Sequence, residues 1–292
     1  MNIDSPASLA VSAMPIPNLS SLTLTLEQRI AHVRLNRPAK ANAIGREMWD
    51  ELRVAFDWID ATPEARVAVI SGAGAHFTSG IDLAMLAGVV VEADDANDAN
   101  ENCEARKREK LRRVILGLQD SLTSLERCRK PVIAAIHGAC IGGGIDLICC
   151  ADMRFCASDA QFSIKEIDMG MTADVGTLQR LPKLVGDGIA RELAYTGRQF
   201  SAAEAREIGL VNRVFETPAA LLEGVMKIAA DIAAKSPLAI RGTKEMLLYA
   251  RDHSVADGLN HIATWNAAML MSADMQEAMM ASIQKVKPVF RD

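Results

Sequence analysis

His137-Gly138-Ala139-Cys140-Ile141-Gly142-Gly143-Gly144-Ile145-Asp146-Leu147 is the stretch on which the reading of this chain turns. Just before it, Val132 to Ile136 follow Lys130-Pro131 as a short apolar run, the pattern of a buried strand, and Ile145 to Cys150 continue it as an apolar helix. Three consecutive glycines between a strand and a helix cost conformational entropy. Without side chains the backbone can approach a ligand closely, and the N–H groups of a first helical turn are unpaired and point outward. An anion or oxyanion site is one reading; a tight strand-to-helix turn is the other. No Lys-Ser or Lys-Thr follows the glycines, which argues against a phosphate loop.

A second turn has related chemistry. Phe77-Thr78-Ser79-Gly80-Ile81-Asp82-Leu83 also passes through a glycine into a predicted helix, so two backbone donors can converge on one oxygen. Such a pair suits a thioester whose carbonyl oxygen gains charge when a proton leaves the adjacent carbon. Asp82 reads as a helix-start residue. Three further acids sit in apolar company: Asp146 just past the glycines, Glu166 in Ile164-Lys165-Glu166-Ile167-Asp168, and Asp174 in Met171-Thr172-Ala173-Asp174-Val175-Gly176. Carboxyls in an apolar pocket resist ionisation and separate each other's titrations, which can supply one acid and one base near neutrality. Asp168 reads as a surface acid.

Working outward, Ile30 to Leu35 alternate as a half-buried strand, Met48 to Ile59 recur at helical spacing, and Val67 to Gly72 read as a buried strand. This strand, helix, strand unit and its repeat around the glycines predict an α/β core. Glu92 to Glu101 read as a solvated loop, followed by a helix from Glu104 to Arg127. From Ser201 onward, Ala202 to Ile208, Pro218 to Lys235, Pro237 to Arg251 and Val255 to Met271 predict a mainly helical region. The methionines Met269, Met271, Met275, Met279 and Met280 read as packing or a subunit interface. The expected organisation is a flexible tail over 1–20, a core over 21–200 and a helical region over 201–292.

With 292 residues and half of them hydrophobic, the chain can bury a substantial core. A formal charge of -5 provides no global positive field for nucleic acid or an anionic membrane, so neither is expected as a partner. No apolar run approaches the ~20 residues that span a bilayer. The six cysteines have no C-x-x-C spacing and the five histidines no zinc pattern, so no metal is expected and the cysteines read as reduced core thiols. Residues 1–20 carry no Lys or Arg, and the ending Phe290-Arg291-Asp292 is not a peroxisomal address, which predicts a cytoplasmic, bacterial protein.

In order and spacing, Phe77 to Leu83, His137 to Leu147 and Glu166 to Pro182 resemble the crotonase (enoyl-CoA hydratase/isomerase) superfamily, and the resemblance runs from about Leu22 to the end. Leu35-Asn36-Arg37-Pro38-Ala39-Lys40-Ala41-Asn42-Ala43 resembles the family's first coenzyme A loop. The resemblance implies a spiral of ββα units, a helical C-terminal trimerisation region giving a homotrimer or homohexamer, and an acyl-CoA substrate with no separate cofactor. It implies an oxyanion hole at the Ile81 and Gly143 N–H groups, with substrate contacts from Lys40, Ala41, Ala43, Ser79, Gly80 and Gly142. Family hydratases typically have Glu at the first two acidic positions and a small residue at the third. The set here is Asp146, Glu166, Asp174, which resembles the dienoyl-CoA isomerase branch that converts 3,5-dienoyl-CoA to 2,4-dienoyl-CoA. The resemblance leaves open which carboxylate is acid and which is base. An enoyl-CoA hydratase is the nearest rival, and a non-catalytic scaffold or RNA-binding protein is a rival of another class.

Overall fold

A computed structural model describes residues 14–93 and 103–292. The predicted loop at 92–101 lies almost wholly outside the described residues, as do residues 1–13 of the expected tail. The chain begins with β1 (Leu22–Glu27), β2 (Ile30–Leu35), α1 (Arg46–Ala61), β3 (Val67–Gly72), α2 (Leu83–Ala93) and α3 (Glu104–Arg127). It continues through β4 (Val132–Ile136), β5 (Ala139–Ile141), α4 (Gly143–Cys149), β6 (Met153–Ala157) and β7 (Gln161–Ser163). Then come α5 (Thr177–Val185), α6 (Asp187–Thr196), β8 (Phe200–Ser201), α7 (Ala202–Glu207) and β9 (Arg213–Phe215). Four helices follow: α8 (Pro218–Ala233), α9 (Pro237–Asp252), α10 (Val255–Met269) and α11 (Ala273–Gln284).

A six-stranded sheet has the order β1-β2-β3-β4-β6-β9. β1 runs antiparallel to β2, and the remaining neighbours are parallel. A three-stranded sheet, β5-β7-β8, stands beside it. Along β3 the side chains alternate between two cores. Ala68 and Ile70 join the cluster with α1, while Val67 and Val69 join the one with Leu221, Val225 and Ala229 of α8. Burial on both faces explains why β3 reads as an unbroken apolar run.

Helix α1 turns Met48, Trp49, Leu52, Ala55, Phe56 and Ile59 inward. Phe56 is wholly buried, so truncation to Ala should cost roughly 3–5 kcal/mol. The helix ends where Thr62 Oγ1 donates to Trp58 O at 2.7 Å. Buried Lys130 satisfies the last carbonyls by donating to Ile59, Asp60 and Thr62 O. Because β2, β3 and β4 are parallel, the loops leaving their C-terminal ends emerge on the same side of the sheet. Those loops are the three stretches singled out above.

The four helices expected after Ser201 are present within two residues of their predicted ends. The same region also holds β9, which completes the main sheet, and α11. Five of the six cysteines are buried, whereas Cys103 is exposed at the start of α3. The Met-rich stretch is not core packing within one chain: Met271 is 85% exposed and Met279 55%.

Candidate active site

The strand exits lace together through their backbones. Phe77 N donates to His137 O at 2.8 Å, Thr78 N to Ala139 O at 2.9 Å, and Ile141 N to Thr78 O at 3.1 Å. From the other side, Ile44 N donates to Gly80 O at 2.8 Å and Asp82 N to Ile44 O at 3.0 Å. Ile81 is thus fixed between two bonded neighbours, and its own amide has no acceptor among the described residues. Gly143 opens α4, where a first-turn amide has no intrahelical acceptor. The two amides lie close together: a β-carbon on Gly143 would stand 3.7 Å from Ile81 N, and one on Gly80 would stand 3.4 Å from Gly143 N.

Glycine is required at two points here. Gly80 has φ +89°, and a β-carbon there would lie 2.6 Å from Ile141 O. Gly142 has φ +52°, and its β-carbon would stand 3.3 Å from Glu166 Oε1. The bare backbone at 142 therefore lets a carboxyl approach the glycine loop.

The first loop is tied by residues that the sequence reading quoted but did not assign to the site. Asn42 is wholly buried with φ +53° and donates to Ala73 O and His76 O, both at 2.8 Å, while accepting from Arg37 N at 2.9 Å. Thr78 Oγ1 donates to Asn42 O, and Ser79 N to Ala41 O. Arg37 reaches Ala43 O at 2.6 Å and Asp82 at 2.9 Å. Asp82 also caps the Ala84 amide, in keeping with a helix-start residue. An Asn beside a short Pro-initiated turn was the available signal for this knot, and the sequence reading did not use it. Lys40 is exposed at the end of that turn, Ala41 is half-buried and Ala43 buried.

The carboxyls differ in setting. Asp146 on α4 is fully buried; Oδ1 accepts from Thr177 N at 2.6 Å, and Oδ2 has no partner among the described residues. Burial pushes its carboxyl up to about 6 against the Thr177 hydrogen bonds. Half-buried Glu166 opens a 3-10 turn, and its Oε2 is also unpartnered. Burial, and after it the negative charge of Asp146, push Glu166 up to about 7. Asp174 lies in the loop before α5, exposed at the rim, and residual desolvation still raises its carboxyl.

Helix α3 holds that loop in place. Gln119 Nε2 donates to Asp174 O at 2.6 Å, and Glu126 accepts from Arg180 at 2.9 Å and also from Arg251. A cavity of about 420 Å³ adjoins Asp174 between Gln119, Thr123 and Arg180. Asp168 is exposed and paired with Lys165. Buried Cys140 is no nucleophile: burial pushes its thiol far above the usual range.

Two neighbouring amides, one carboxyl against the adjoining glycine and another at the rim are equipment suited to moving a proton beside a carbonyl. The Enoyl-CoA hydratase/isomerase family profile matches residues 25–292. This chain belongs to that family. Among family members, it is 48% identical to the peroxisomal Delta(3,5)-Delta(2,4)-dienoyl-CoA isomerase of Arabidopsis thaliana, over 90% of this chain and 93% of the relative. It is 46% identical to the mitochondrial Delta(3,5)-Delta(2,4)-dienoyl-CoA isomerase of Mus musculus, over 92% and 81%. The crystal structure of an enoyl-CoA hydratase from Bacillus anthracis shares the crotonase fold, with TM-score 0.83 and 30% identity over 93% and 99% of the two chains.

These relatives correct one expectation. They overturn the prediction of a bacterial cytoplasmic protein, because the isomerases at 46–48% identity are peroxisomal and mitochondrial proteins of eukaryotes. That prediction rested on residues 1–20 and on the last three residues. Sorting addresses are short, receptor-read segments, independent of the residues that build the fold.

Proposed function

We propose that this chain isomerises 3,5-dienoyl-CoA to 2,4-dienoyl-CoA in fatty acid β-oxidation. The Ile81 and Gly143 amides hold the thioester oxygen, Glu166 takes a proton from C2, and Asp174 delivers one to C6. The observation that carries this reading is the Glu166 carboxyl against Gly142, beside the Gly143 amide, with its basicity lifted to about 7. Loss of the C2 proton places charge on the thioester oxygen and along the diene to C6. Protonation there moves both double bonds toward the thioester, so the proton count is unchanged.

A group poised near neutrality serves as base without being permanently charged. Burial sets most of that poise, and the negative charge of Asp146 adds to it by opposing ionisation of Glu166. Asp174, whose carboxyl desolvation raises above its ordinary value, is the group proposed to deliver the second proton. The reaction is a proton shift without net oxidation, so no cofactor beyond the substrate's own coenzyme A enters the proposal. The coenzyme A contacts are proposed at Lys40, Ala41, Ala43, Ser79, Gly80, Ile81, Gly142 and Gly143.

The active form is proposed to be a homotrimer or a pair of trimers. Supporting this, Val255, Leu259, Met271, Met279 and Ile283 on and beside α10 and α11 are 55–85% exposed in the single chain. The division into a core over 21–200 and a helical assembly region over 201–292 belongs to the same proposal.

The test is a paired assay on the purified protein. With a 3,5-dienoyl thioester, ultraviolet absorbance of the conjugated 2,4-diene should rise. With a 2-enoyl thioester, loss of enoyl absorbance should be far slower. Efficient hydration of the enoyl substrate and indifference to the diene would replace the proposal with hydratase chemistry through Asp146 and Glu166. Salt-sensitive RNA binding with no thioester turnover would replace both.

A further inference from the structure

Three buried side-chain atoms that lack a hydrogen-bond partner among the described residues belong to this one site: Asp146 Oδ2, Glu166 Oε2 and Thr177 Oγ1. Thr177 opens α5 and is 1% exposed. Its amide is committed to Asp146 Oδ1 at 2.6 Å. Its hydroxyl has no hydrogen-bond partner among the described residues, and the bonded amide of the same residue holds it beside the Asp146 carboxyl, whose Oδ2 is likewise unpartnered.

A buried hydroxyl without a partner is costly, and a methyl of the same shape would fill the space without that cost. The hydroxyl, unlike a methyl or an amide, can both donate and accept. We infer that Thr177 is a positioning residue whose hydroxyl serves Asp146 in both protonation states, donating to the carboxylate and accepting from the carboxylic acid. Asp146 then keeps one orientation toward Glu166 while the proton balance of the site changes. This rests on the roles proposed above for Asp146 and Glu166.

The groups acting on Asp146 are known from every side. Glu166 and Asp174 are acidic neighbours, and Arg180 of α5 is the cation. The thiols of Cys140, Cys149 and Cys150 also face it, but burial keeps them neutral. Among these neighbours Thr177 alone both contacts the carboxyl through its amide and carries a second, unused polar group.

The experiment compares Thr177→Val, which keeps the shape, with Thr177→Ser, which keeps the hydroxyl. Difference infrared titration of the carboxyl bands, with Asp146 assigned by its loss in Asp146→Asn, reads protonation directly. In Thr177→Val the Asp146 midpoint should rise by roughly one pH unit, because the ionised form loses a donor. The same variant should lose about tenfold in kcat with KM within twofold, and Thr177→Ser should restore both midpoint and rate. An unmoved midpoint in a folded Thr177→Val protein overturns the inference, whatever happens to the rate. Equal loss of rate and thermal stability in both variants, with the midpoint fixed, assigns Thr177 to packing and overturns it as well. If instead Asp146→Asn and Glu166→Gln both turn over normally, the catalytic reading fails, while the midpoint measurement still decides the Thr177 contact.

Discussion

The guanidinium of Arg37 meets the carboxylate of Asp82 at 2.9 Å, joining the loop after β2 to the residue that follows the Ile81 amide. Both side chains are partly shielded, 28% and 17% exposed, so water weakens the pair only in part. Asp82→Asn retains the cap on α2 but weakens this tie, leaving the Ile81 amide less firmly aimed. Turnover should fall roughly tenfold in kcat/KM, equivalent to about 1.4 kcal/mol of transition-state alignment, with the fold intact by circular dichroism. A rate within twofold of the parent would mean that the backbone bonds of Ile44 suffice.

The pH profile follows from the sign of the shift at Glu166. As the base it must be ionised, so kcat/KM should rise with pH through about 7, the value to which burial and Asp146 push it. Asp146→Asn removes one negative neighbour and makes ionisation easier. The acidic limb should therefore move to lower pH by roughly one unit. A limb that stays in place would remove Asp146 from its tuning role.

The same shift makes Glu166 a source of instability. Its folded-state value, about 7, lies above the ordinary carboxylate range. Stability is fully present below that ordinary range, declines as the unfolded chain ionises first, and levels off above the folded value. Glu166→Gln should thus unfold at a higher temperature than the parent at pH 8, by an increment on the order of 2 kcal/mol, and at a similar temperature at pH 4. Equal melting shifts at both pH values would contradict a raised value.

The role proposed for Asp174 separates the two proton transfers. Asp174→Asn should lower diene isomerisation by at least the ~10²-fold of a lost general acid, while exchange of the C2 proton with deuterated solvent continues. Glu166→Gln should suppress that exchange. Isomerisation that survives Asp174→Asn would make this residue a structural acid.

Much of the site was legible because its parts are contiguous in sequence. The glycine run marked a turn open to an anion by its lack of side chains, the family resemblance singled out Gly143 within it, and apolar residues marked the strand before it. Distances were not legible, since Glu166 meets Gly142 only after β5 and β7 pair at an offset of 22 residues, as Ala139 with Gln161. Thr177 and Asn42 went unassigned for a related reason: each is a common polar residue whose meaning lies in its partners, Asp146 for the first and the carbonyls of Ala73 and His76 for the second. Strands β5, β7, β8 and β9 have two or three residues each, too few for an alternating pattern to register. Helices α7 to α10 after Ser201 were found from length and spacing, whereas α11 and β9 were not.

The donors proposed for the thioester oxygen are main-chain amides at Ile81 and Gly143, whereas the groups proposed to move protons are side chains. Codon changes reach the second kind one at a time and leave the first intact as long as the backbone holds. A gene line carrying this scaffold can therefore exchange one reaction for another in few steps, redrafting Asp146, Glu166 or Asp174 while the capacity to stabilise an enolate passes unaltered to its descendants.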